Sequence, residues 1–170
     1  MGFKFLSVLA AGLLLAACAS KPEDTQASSA SGSTTSGGST VASTVVPGSQ
    51  EDLVQNVGDR VLFGFDKYDL APEAQATLER QAAWLQQYRS VTVSVEGHAD
   101  ERGTREYNLA LGERRANSVK NYLVALGVDQ NRITTISYGK ERPAVSGSNE
   151  DAWAQNRRAV TVVTGGAPSS

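Results

Sequence analysis

The chain has 170 residues, 40% of them hydrophobic and 20% charged, with a formal net charge of −2 and a pI near 5.4. That length fits one domain with attached tails. The acidic balance excludes a general nucleic-acid binder, which needs a basic surface to hold phosphates, and no global charge draws the chain to a membrane surface.

At the start of the chain, Lys4 supplies a positive charge, and the run Phe5–Ala17 is apolar and ends in small residues. The run is shorter than the roughly 20 apolar residues that a membrane-spanning helix needs, and polar sequence begins directly after Cys18. Residues 1–17 therefore read as a secretory signal. Cys18 is the only cysteine, so no disulfide framework exists. The run Leu15-Ala16-Ala17-Cys18 resembles the bacterial lipobox. That resemblance implies cleavage before Cys18, diacylglycerol on its sulfur and acylation of the new amine. At about 0.8 kcal/mol per buried methylene, two or three acyl chains hold a protein essentially permanently. Ala19 and Ser20 carry no aspartate-type retention signal, which by resemblance to such lipoproteins implies the outer membrane.

Residues 18–52, from the lipidated cysteine onward, are dominated by Ser, Thr, Gly and Ala and have no apolar period. Such a segment buries too little surface to offset its ordering entropy and reads as a flexible tether. It would average roughly 30 Å end to end as a coil and reach on the order of 110 Å when drawn out.

Residues 53–164 are the expected folded domain, and 165–170 a disordered tail. Val61, Phe63 and Phe65 alternate as in a strand. Pro72 suits a first helical turn, and Leu78, Ala82, Leu85 and Tyr88 follow at helical spacing. Val91, Val93 and Val95 alternate again, and Asp100–Thr104 is a loop containing Gly103. A second helix runs to Leu126 with Leu109, Ala116, Val119, Leu123 and Leu126 on its core stripe and Gly127 as its stop. Ile133–Tyr138 is a third strand, 139–155 a polar stretch, and Arg158–Val163 the last strand. The order β-α-β-α-β-β predicts an α/β sandwich, one mixed sheet packed on two main helices.

Catalysis is not indicated. His98 is the only histidine, and neither a nucleophile elbow nor a phosphate-binding glycine loop is present. Glu96, His98 and Asp100 alternate near a strand end and suggest a metal cluster, but successive residues on one strand face lie about 6–7 Å apart. That is too far for neighbouring ligands on a straight strand. His98 reads better as a hydrogen-bonded residue supporting the loop, and no metal or cofactor is expected.

The stretch Val95-Glu96-Gly97-His98-Ala99-Asp100, followed by Asn108-Leu109-Ala110-Leu111-Gly112-Glu113-Arg114-Arg115-Ala116, resembles the signature of the OmpA-like peptidoglycan-binding domain. The likeness spans the folded part from Phe65-Asp66 to Asn156-Arg157-Arg158. Ala99 stands where the family usually has threonine, one hydroxyl fewer with the aspartate in register. The resemblance implies a non-catalytic domain that binds the stem peptide of peptidoglycan through meso-diaminopimelate. With lipobox and tether, it further implies an outer-membrane-to-wall tether working with the Tol system, TolB in particular, when the outer membrane is drawn inward at division. The alternatives are a periplasmic protein-interaction module with incidental wall binding and a wall-modifying hydrolase.

The free end of diaminopimelate carries an ammonium and a carboxylate on one carbon, so its receptor needs an anion and a cation held close together. Asp100, at a strand end, can accept the ammonium protons. Arg115, fifteen residues on, shares a helix stripe with Asn108 and Leu111 and can grip a carboxylate with two parallel hydrogen bonds. The alternative for this pair is an internal salt bridge. Phe65 and Asp66 match a pair lining the family's pocket; otherwise Phe65 packs in the core and Asp66 turns or caps the chain. Thr104 either caps the second helix or meets the ligand. Asn108 orients the loop or touches the peptide backbone. Arg114 is a solvated helix charge or, as the family often places it, a pocket neighbour. Trp84 and Trp153 read as fold residues rather than sugar platforms.

Overall fold

The computed structural model describes residues 45–167. The expected signal, Cys18, the tether up to residue 44 and residues 168–170 lie outside the described part.

The order of elements is α1 (Gln50–Asp52, continued by a π-helical turn Leu53–Val57), β1 (Arg60–Leu62), α2 (Pro72–Gln87), β2 (Thr92–His98), α3 (Arg105–Ala125), β3 (Ile133–Gly139), α4 (Glu150–Asn156) and β4 (Arg158–Gly165). The strands form one mixed sheet in the order β1-β4-β2-β3, with β2 parallel to β3 and β4 antiparallel to both β1 and β2. The β-α-β-α-β-β frame and the mixed sheet with two main helices are as the sequence predicts.

Register follows the hydrophobic pattern. Val93 pairs with Ile133 and Val163, and Val95 with Thr135 and Thr161, so one face of the sheet gathers the apolar side chains. Leu78 and Leu85 of α2 and Ala116, Val119 and Leu123 of α3 join Val91, Val93, Val95 and Ile133 in a single buried core. Full burial of each Leu or Val is worth roughly 1.5–3 kcal/mol. Pro72 opens α2 as expected. Gly127, at φ 93°, ends α3 in a Schellman arrangement: its N–H reaches the Val124 carbonyl at 2.9 Å, and the Val128 N–H reaches that of Leu123 at 3.1 Å.

One contact sets how α3 lies on the sheet. A Cβ at Gly97 would stand 1.8 Å from the Gly112 carbonyl oxygen, and one at Gly112 would stand 2.4 Å from Ser137 Oγ. Backbone meets backbone here because neither residue has a side chain. Ser137 Oγ pins the crossing by donating to the Leu109 carbonyl at 2.6 Å. The end of β2 and the middle of α3, which carry Asp100 and Arg115, are thereby held together.

Four boundaries differ from the sequence expectation. The folded part begins before residue 53: Ser49 caps α1, and the buried Asp52 carboxylate accepts from Gly48 N–H (2.7 Å), Asn56 (2.7 Å) and Trp84 Nε1 (2.8 Å). At the other end, β4 runs through Gly165, and the Gly166 carbonyl accepts from Ser90 Oγ at 2.9 Å. The polar stretch before β4 contains α4, capped by Asn149 and anchored by Ala152; seven residues are too few to show a helical period. The first strand stops at Leu62; beyond it the Phe63 N–H donates to the Arg157 carbonyl and the Phe63 carbonyl accepts from Arg157 Nε, so Phe65 is not a strand residue.

Candidate functional site

The chain leaves β2 with the Ala99 N–H donating to the Gly139 carbonyl at 2.8 Å. Asp100 then accepts the Arg102 N–H on Oδ1 at 3.1 Å, closing an Asx turn. Lys140 Nζ holds the same loop by donating to the carbonyls of Gly103 (2.7 Å) and Glu101 (3.2 Å). Asn108 Nδ2 donates to the Arg102 carbonyl at 2.8 Å, so its amide does orient the loop. Thr104 caps α3 by accepting the Tyr107 N–H.

Facing this loop is the turn Gly64–Lys67. It is built on Asp66 in the left-handed region, φ 58°, the only described non-glycine residue with positive φ. The Tyr107 hydroxyl donates to the Asp66 carboxylate and fixes the turn against α3. Between loop, turn and helix lies a cleft of about 220 Å³, lined by Phe65, Asp66, Asp100, Arg102, Gly103, Tyr107, Asn108, Leu111 and Arg115.

Arg115 is completely buried. It donates to three backbone carbonyls: Nε to Lys67 (2.8 Å), Nη1 to His98 (2.7 Å) and Nη2 to Gly64 (3.2 Å). Of its five N–H groups, one on each terminal nitrogen is left. Burial pushes its pKa down to about 10, partly opposed by the charge of Asp100, so it remains cationic at neutral pH. Asp100 is 4% exposed. Its carboxylate meets Arg102 at 2.6 Å and Arg157 at 3.5 Å. Burial alone would raise its pKa; the hydrogen bonds and charge of Arg102, with Arg157 behind, outweigh that and hold it below the usual carboxylate range. The ion pairs of Asp100 are thus with Arg102 and Arg157, and an Asp100–Arg115 salt bridge is not formed.

Six of the eight residues expected at the site line the cleft. Phe65 is 60% exposed there, which removes the core-packing alternative, and Asp66 both lines the cleft and turns the chain. Thr104 and Arg114 do not line it: Thr104 caps α3, and Arg114 lies on the exposed face of the helix with its guanidinium 5.7 Å from the Tyr68 ring centroid. Trp84 is a core residue, whereas the Trp153 ring lies 4.1 Å from Arg102.

Arg102, Gly103, Tyr107 and the supporting Arg157 escaped the sequence reading. Arg102 is clamped between the rings of Phe65 and Trp153, each 4.1 Å from its guanidinium carbon. Tyr107 had a usable signal, because Tyr107, Leu111 and Arg115 recur every four residues on one helix stripe. His98 differs in detail from expectation. Its carbonyl supports the site through Arg115, but neither buried ring nitrogen has a hydrogen-bond partner, and Glu96 lies 3.8 Å away.

The OmpA family matches residues 62–157 of this chain. A peptidoglycan-associated lipoprotein of Rhizobium meliloti is 51% identical over 156 residues, covering 90% of this chain and 83% of the relative. One of Haemophilus influenzae is 47% identical, covering 91% and 94% respectively. Among solved structures, the peptidoglycan-associated lipoprotein of Burkholderia pseudomallei aligns with a TM-score of 0.61 at 42% identity, covering 62% of this chain and 90% of that one. The C-terminal domain of Helicobacter pylori MotB shares the fold, with a TM-score of 0.59 at 22% identity over 63% of this chain and 84% of its own. Matched through the elements that build the cleft and nearly end to end with its relatives, the chain belongs to the OmpA family, among the peptidoglycan-associated lipoproteins.

Proposed function

We propose that this chain is an outer-membrane lipoprotein, anchored through acyl chains on Cys18, whose periplasmic domain binds peptidoglycan without cleaving it. The ligand is the diaminopimelate side chain of the stem peptide, and the cleft between the loop 99–104, the turn 64–67 and α3 receives it. The observation that carries this reading is the pairing in one cleft of a buried carboxylate, Asp100, with a buried guanidinium, Arg115. The remaining N–H groups of Arg115 take the ligand carboxylate. Asp100, whose present cation is Arg102, takes the ammonium. Each charge-assisted bond contributes roughly 1.5–3 kcal/mol in so desolvated a place. The names of the relatives support the wall as target and the lipoprotein class. Among the described residues no helix is long and apolar enough to cross a membrane.

In the cell, we propose, the protein works in the Tol-Pal system with TolB as a partner, a role that its family resemblance implies. It holds the outer membrane to the wall and helps draw it inward at division. Sedimentation with purified peptidoglycan tests the grip. The intact chain should pellet with the wall, and Asp100→Asn should lose most of that binding while keeping its fold by circular dichroism. Undiminished pelleting of a folded Asp100→Asn protein contradicts the assignment.

A further inference from the structure

The α3 stripe that supplies Leu111 and Arg115 to the cleft continues beyond it. Ser118, Asn121, Tyr122 and Ala125 line a second, open groove of about 470 Å³, closed on its other side by Tyr68, Asp69, Leu70 and Gln75. The two hollows adjoin through one piece of chain: Arg115 holds the Lys67 carbonyl, and Tyr68 is the next residue. Leu111 to Tyr122 is about 16 Å of helix, so one extended ligand can span both.

The groove has a different chemistry from the cleft. Two tyrosine rings, two carboxamides and a hydroxyl line it, and Asp69 is its single charge. Much of its hydrogen-bonding capacity is unspent. Gln75 uses Nε2 on the Leu70 carbonyl (2.9 Å) and keeps its oxygen, and Ser118 donates to the Arg114 carbonyl and keeps its lone pairs. Neither the exposed Asn121 carboxamide nor the Tyr68 hydroxyl has a partner among the described residues. Rings beside uncharged donors and acceptors suit a ligand with apolar C–H faces and many hydroxyl and amide groups, and the charges beside the two rings, Arg114 near Tyr68 and Glu79 accepting from the Tyr122 hydroxyl at 3.4 Å, are of opposite sign. The volume is in the range of small-molecule sites.

We propose that this groove is a saccharide subsite, which takes an N-acetylated amino sugar of the glycan strand while the cleft holds the attached stem peptide. The inference rests on the stem-peptide reading above. It makes the domain a reader of the junction between peptide and glycan.

The test compares two soluble probes on the full chain by calorimetry: a diaminopimelate-containing stem peptide, and the same peptide carrying its disaccharide. The disaccharide should tighten binding about tenfold, the equivalent of one or two net hydrogen bonds. Asn121→Ala and Tyr68→Ala, both at exposed positions, should bring the two affinities together and leave that of the bare peptide unchanged. Equal affinities in the unaltered protein, or a preference that survives both substitutions, overturn the subsite. A bare peptide that does not bind at all overturns the stem-peptide reading and this one with it, a pattern distinct from the first.

Discussion

Arg115 donates through Nη1 to the carbonyl of His98, 2.7 Å away, and so ties the middle of α3 to the last residue of β2. The same guanidinium holds the turn 64–67 at two further carbonyls. Arg115 is therefore a structural keystone as well as the proposed partner of the ligand carboxylate. Arg115→Lys keeps the charge but cannot reach three carbonyls in a planar fork. Leaving buried acceptors unpaired should cost about 2–4 kcal/mol in urea unfolding. A loss below about 0.5 kcal/mol contradicts the geometry.

Asp66 tests the turn. Its φ of 58° is costly for most side chains, roughly 1–2 kcal/mol, and most so for β-branched ones. Asp66→Val should destabilise the domain by at least that amount. Asp66→Gly loses the same hydroxyl–carboxylate bond as Tyr107→Phe but relieves the positive φ, so it should be at least as stable as that variant. Thermal melts of the three variants separate backbone strain from hydrogen bonding.

His98 gives a pH signature. It is the chain's only histidine, and burial, followed by the charges of Arg158 and Arg142, lowers its pKa from 6.5 to about 4. The unfolded chain therefore takes up a proton in this window that the folded chain refuses. Stability is full above pH 6.5 and falls as the pH drops toward 4, by up to about 3 kcal/mol. The depressed carboxylates Asp52 and Asp100 lose their contribution at lower pH, below their ordinary range, so the windows separate. Denaturation between pH 4.5 and 7 should show this slope, and His98→Gln should flatten it. An unchanged slope in that variant refutes the assignment.

Gly112 tests how backbone contact builds the cleft. A methyl group there would press on Ser137 Oγ at 2.4 Å and on the Gly97 carbonyl at 2.8 Å. Gly112→Ala should cost about 1–3 kcal/mol and weaken wall binding several-fold by shifting Arg115 against Asp100. Titration of the variant with stem peptide under conditions where it remains folded measures the second effect.

These relationships differ in how far the sequence reveals them. The valine alternation of β2, the α3 stripe from Ala116 to Leu126 and Gly127 were legible because each repeats or ends a local period, whereas Leu109, expected on that stripe, is half-buried and lies outside the core. Asp100 and Arg115 were legible through their signature, and their shared cleft follows from β2 running into α3. Arg102 was not, since its place depends on Phe65, 37 residues before it, and Trp153, 51 after it. The carbonyl partners of Arg115 were equally hidden, because backbone acceptors carry no mark in a sequence. α4 and α1 are too short to display a period, and the edge strand β1 ends where the turn, rather than the side-chain alternation, takes control.

The central claim is that Asp100 and Arg115 read both charges at the free end of diaminopimelate. The most direct measurement is the affinity of the domain for two otherwise identical stem peptides, one with diaminopimelate and one with lysine. Lysine keeps the ammonium and lacks the distal carboxylate. The diaminopimelate peptide should bind at least about tenfold more tightly, since Arg115 loses a charge-assisted partner in the other. Equal affinities would contradict the account.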